Sequence, residues 1–80
     1  MTLKQIIKLI ETKMRNHIQQ FYRIPLSDIN FIIKKIDWAN VLPATIDLDE
    51  LLKNIKWLEE TFWNCYHQNI QELSKNSRGR

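Results

Sequence analysis

Between Met1 and Arg78 this chain contains no glycine, and its only one is Gly79. Nothing else in the sequence restricts the backbone as much. Tight β-hairpins need residues at positive φ, which glycine supplies most cheaply, so a hairpin-dense β fold does not fit. Gly-rich loops that cradle phosphates are excluded as well. The chain is nevertheless a folding one: 44% of its residues are hydrophobic and the formal net charge is only +3. Its 80 residues make a single domain, close to the size at which one core is only marginally stabilising. Cys65 is the only cysteine, which rules out an internal disulfide framework and a cysteine-based zinc finger.

Helical periodicity fills the glycine-free stretch. Leu3, Ile6, Ile7, Ile10, Met14, Ile18 and Phe21 cluster within about a third of a helical circumference. Thr2 and Gln5 have the spacing of a capping box, and Pro25 disfavours helix at Ile24. The first helix is therefore expected over about residues 3–22. Ser27 can cap a second helix, over about 27–38, with Asp28 in its first turn and Leu26, Ile29, Ile32, Ile33 and Ile36 on one face. The run Ile29–Ile33 is also β-prone, but the chain offers no obvious second strand to pair with it. Residues 39–46 read as a loop broken by Pro43.

The clearest local signal lies just beyond that loop. Asp47 and Glu50 have capping-box spacing, and Ile46 and Leu51 have that of a hydrophobic staple. They start a third helix expected over about 48–73. Its stripe is Leu51, Leu52, Ile55, Leu58, Phe62, Tyr66, Ile70 and Leu73. The expected fold is all-α, a small three-helix bundle over 1–73, with 74–80 as a flexible basic tail. The third helix, about twice the length of the second, would overhang the bundle, and a second copy of the chain could cover it.

No apolar run approaches the roughly 20 residues of a membrane span or the roughly 7–15 of a signal-peptide core. The expected location is the cytoplasm, where a free cysteine is stable. Residues 1–23 are basic, with Glu11 their single acid, a pattern that an ordinary amphipathic helix explains. Charge is segregated. Residues 1–35 carry seven Lys and Arg against two acids, a net +5; residues 36–74 carry two against seven, a net −5. Lys75, Arg78 and Arg80 add the rest. The body is thus close to neutral, and its halves are complementary.

Few residues are placed for catalysis. Cys65 and His67 are two apart, which on a helix separates them by roughly 200°, so they do not form a nucleophile–base pair. Glu59 and Glu60 diverge for the same reason. His17 borders the first apolar stripe. Metal sites need three or four convergent ligands, and no such set is evident. The chain is read as a non-enzyme without metal or cofactor.

Aromatic residues off the core stripes are more informative. Trp57 points about 160° from the centre of the third stripe, among Lys53, Glu60 and Thr61. Trp63 sits at the stripe edge. Phe31 and Trp38, seven residues apart, share a face opposite the isoleucines of the second helix, unless Trp38 folds back under the loop and the third helix covers Phe31. Such residues suit an interface, where Trp, Tyr and Arg dominate binding energy. The expected function is a non-catalytic protein–protein interaction module. It would be a homodimer, or an inhibitor or adaptor of the immunity, antitoxin or phage anti-defence type, binding through Trp57, Phe31, Trp38, Lys53, Glu60 and Trp63.

The alternative is a small nucleic-acid-binding regulator using Lys4, Lys8, Arg15, Lys75, Arg78 and Arg80. The usual helix-turn-helix arrangement fits poorly. Its gap here would be about eight residues rather than roughly 3–4, and Asp47, Asp49 and Glu50 would face phosphates. Membrane-surface binding by the first helix ranks last, since its apolar face is needed for the core.

Overall fold

The computed structural model describes residues 2–78, with side chains through Ser74. The fold is all-α. Helix α1 spans Leu3–Phe21, α2 Leu26–Lys35, α3 Trp38–Val41, α4 Leu48–Lys53, α5 Ile55–Gln68 and α6 Ile70–Arg78. No strand occurs among the described residues, so the β-prone run Ile29–Ile33 is helical. No helix among them is long and apolar enough to cross a membrane.

α1 starts where its cap dictates. The Gln5 N–H donates to Thr2 Oγ1 at 3.2 Å, and the Thr2 N–H donates to Gln5 Oε1 at 2.9 Å, so both halves of the box form. The helix ends at Tyr22, whose backbone is extended (φ −134°, ψ 146°), three residues before Pro25. α2 begins at Leu26, one residue before the expected start. Pro25 rather than Ser27 occupies its N-cap, without a side-chain cap bond. Asp28 in its first turn and Lys34 and Lys35 in its last suit the helix dipole.

Two expected helices are divided. α2 does not reach Trp38: Ile36 turns extended (φ −66°, ψ 127°), and Trp38 opens the separate turn α3. The third helix breaks at Asn54 (φ −83°, ψ 77°), whose Oδ1 accepts the Trp57 N–H at 3.1 Å and so caps a new helix. It breaks again at Asn69 (φ −117°, ψ 12°), whose Nδ2 donates to the Cys65 carbonyl at 2.8 Å. Asparagine competes for backbone partners in this way, which is why it favours helix ends. Three segments thereby replace the single long helix expected over about 48–73. α6 continues to Arg78, past the expected end at Leu73. Arg80 lies outside the described residues.

One core joins the six helices of the described residues. α1 contributes Ile10, Met14 and Ile18, each fully buried, at the expected four-residue spacing. α2 adds Ile29, Ile32 and Ile33; α5 adds Leu58, Phe62 and Cys65; Trp38, Leu51 and Leu73 complete it from α3, α4 and α6. Ile70, expected in the stripe, is exposed just after the break at Asn69, whereas Leu73, also expected there, is buried.

Candidate functional site

Three side chains tie α1 to α5. His17 Nε2 lies 2.6 Å from Glu59 Oε2, and the Tyr22 hydroxyl donates to the same oxygen at 3.0 Å. An ionised carboxylate only accepts, so Nε2 carries the proton. The His17 hydrogen bond, and then that of Tyr22, lower the Glu59 pKa. The Tyr22 phenol is raised, first by its bond to Glu59 and then by burial. The cluster is a structural tie: a carboxylate held by two donors, with Phe21 packed on the His17 ring at 4.8 Å.

This tie sets a pH dependence. The lowered Glu59 pKa contributes stability that is fully present above the ordinary Glu value of about 4.3 and is lost as pH falls through the folded value. The raised Tyr22 pKa contributes stability present below about 10 and lost as pH rises through its folded value. Urea unfolding of Glu59→Gln should therefore show lower stability than the parent at neutral pH. The gap should close in acid, where the parent's Glu59 is protonated. A constant gap down to pH values well below about 4 would contradict the linkage.

One open concavity brings Trp57 and Glu60 together. A cleft of about 500 Å³ separates α5 from α3 and the end of α2. Trp57, Glu60, Thr61, Asn64 and Gln68 line it from α5, and Asp37, Asn40 and Val41 face them. The α5 residues recur at helical spacing from Trp57, on the side of the helix away from Leu58 and Phe62. Trp57 is half-buried, with part of its indole left to the cleft, while Glu60 and Asn64 are exposed. Cys65 lies at the inner wall, where its thiol donates to the Ile32 carbonyl at 3.4 Å and burial raises its pKa. It is an unreactive core thiol. His67 is exposed.

Of the expected partner-binding residues, the cleft brings together only Trp57 and Glu60. Trp38 is a correction: it is 8% exposed, belongs to the core and donates its indole N–H to Glu11 Oε2 at 3.2 Å. It does not share a helical face with Phe31, because α2 ends before it. Phe31 is half-buried, with Lys35 Nζ 5.3 Å from its ring centroid. Trp63 is half-buried in an aromatic cluster, edge-on to Tyr22 at 5.1 Å and to Tyr66 at 5.2 Å. Lys53 is exposed at the end of α4 but does not line the cleft.

The basic alternative set is less coherent. Lys4 and Lys8 are exposed on α1, but Arg15 is half-buried and its Nε donates to Asn30 Oδ1 at 2.7 Å. The side chains of Lys75 and Arg78, and the whole of Arg80, lie outside the described residues.

The other α5 residues of the cleft have a signal. Asn64 and Gln68 continue the helical stripe of Trp57 and Thr61, opposite the apolar one. Asp37 and Asn40 opposite them have none, because nothing in the local pattern separates the α3 turn from the end of a helix and a loop. No protein-family model matches the chain, and no curated protein or solved structure is significantly similar to it.

Proposed function

We propose that the chain is a non-catalytic protein–protein interaction module, an inhibitor or adaptor that docks a partner protein through the cleft walled by Trp57. One observation carries this reading: the half-buried indole of Trp57 forms one wall of an open cleft, opposite α3. Trp57 packs partly against the core and leaves the rest of its side chain uncovered beside charged and amide side chains, the make-up of an interface anchor with a polar rim.

The test is capture of host proteins by the tagged chain after nuclease treatment, with Trp57→Ala as the paired bait. A partner retained by the parent and weakened about 30-fold or more by Trp57→Ala is expected, the size of a hot-spot loss. Circular dichroism establishes that the variant is folded. Equal capture by both baits, or capture abolished by nuclease, would overturn the reading. The latter result would favour the basic residues of α1.

A further inference from the structure

The charges around the cleft say what it would hold. Three charged side chains line it: Lys35, Asp37 and Glu60. The cation is already engaged, with Lys35 Nζ 3.3 Å from Glu72 Oε2 on α6 and its ammonium over the Phe31 ring. Among the described residues, no ion pair neutralises Asp37 or Glu60. Asp37 accepts a hydrogen bond from Asn40, which holds the carboxylate in place without cancelling its charge. The cleft is thus anionic, and the indole of Trp57 lies among its lining residues.

We infer that this cleft receives an arginine side chain from a basic segment of the partner protein. The inference rests on the docking reading above and specifies its chemistry. A guanidinium matches the lining better than other groups. It is planar and weakly hydrated, stacks on an indole face, and offers a fork of donors to a carboxylate. Asn64 adds an amide oxygen to the acceptors. An ammonium lacks both the plane and the fork. An anion would meet two carboxylates, and a wholly apolar anchor would strand them in a dehydrated site. Val41, 36% exposed at the rim, offers an apolar contact beside the anionic end. That contact suits a residue flanking the arginine in a chain, and is the reason to assign a protein segment rather than a free guanidinium compound.

Fluorescence anisotropy with labelled hexa-arginine, hexa-lysine and hexa-citrulline tests this without any knowledge of the partner. Hexa-arginine should bind more tightly than hexa-lysine, and neutral hexa-citrulline should not bind measurably. Glu60→Lys should weaken hexa-arginine about tenfold or more, as reversal of a specific charge contact does. Glu60 is exposed, so this variant keeps the fold. Glu50→Lys makes the same charge change on exposed α4, away from the cleft, and should leave binding within about twofold. Equal binding of hexa-lysine, or equal losses in the two variants, would reduce the effect to diffuse charge and overturn the assignment. Complete competition by free arginine at matched side-chain concentration would make the cleft a small-molecule site and overturn it too. If arginine selectivity fails while partner capture still depends on Trp57, only the arginine assignment falls. If both fail, so does the docking reading.

Discussion

Phe62→Ala is expected to lower stability by about 3–5 kcal/mol, the usual cost of truncating a fully buried phenylalanine. Phe62 has no solvent exposure. It also meets the Trp63 ring edge-on at 5.1 Å, a contact that adds to area burial. A domain of this length has a total stability of about 4–12 kcal/mol. The substitution therefore removes between about a quarter and all of it. In a domain this small each kcal/mol moves Tm by about 4–8 °C, so thermal denaturation should show a fall of more than about 12 °C, or no cooperative transition. Phe62→Leu, which keeps most of the volume, should retain a sharp transition. A fall of only a few degrees for the alanine variant would mean that the six helices do not share one core.

That core is the part of the fold that the sequence discloses best. Ile10, Met14 and Ile18 are found where a period of 3.6 places them, because one face of α1 meets nothing but other apolar faces. The capping box at Thr2 and the cap at Asp47 are legible for a similar reason: they are local, and both bonds close within three residues. The helix breaks are not legible in the same way. Asn54 looks like Asn64, a polar residue off the apolar stripe of a long amphipathic run, while Asn69, seven residues after Phe62, is a single polar residue within that stripe. One polar residue does not by itself end a helix. Asn54 caps α5, Asn69 bonds back to Cys65, and Asn64 stays within the helix. Beyond the Asn69 break the stripe holds only in part: Leu73 is buried where the pattern places it, whereas Ile70 is exposed.

The candidate site obeys the same logic. Trp57 could be singled out because a helical wheel places it about 160° from the centre of the apolar stripe, a purely local inference. Glu60 is its neighbour on that wheel. The other wall of the cleft comes from Asp37 and Asn40, which the chain brings over only by ending α2 at Lys35 and restarting at Trp38. The polar ties have no local signature at all. His17 and Glu59 are 42 residues apart, and Arg15 and Asn30 are on separate helices. Each reads as an ordinary surface residue until the helices are packed.

Trp38→Ala should destabilise the fold nearly as much as Phe62→Ala, by about 3–5 kcal/mol. The residue sits at the start of α3 with only 8% of its surface exposed, so truncation opens a cavity beneath the turn. It also removes the indole N–H that reaches Glu11 Oε2 at 3.2 Å, leaving a half-buried carboxylate without that donor. Trp38→Phe separates the two contributions. It fills most of the cavity and loses only the hydrogen bond, which for a charged acceptor amounts to about 1.5–3 kcal/mol at most. The ratio of the two losses in urea unfolding measures how much of α3 is held by packing and how much by Glu11. Partner capture separates Trp38 from Trp57 in turn. Because Trp38 supports one wall of the cleft without lining it, folded Trp38→Phe should keep its partner, whereas folded Trp57→Ala should not. If Trp38→Phe keeps its fold and still loses the partner, Trp38 contacts the partner directly, and the core position described for it is incomplete.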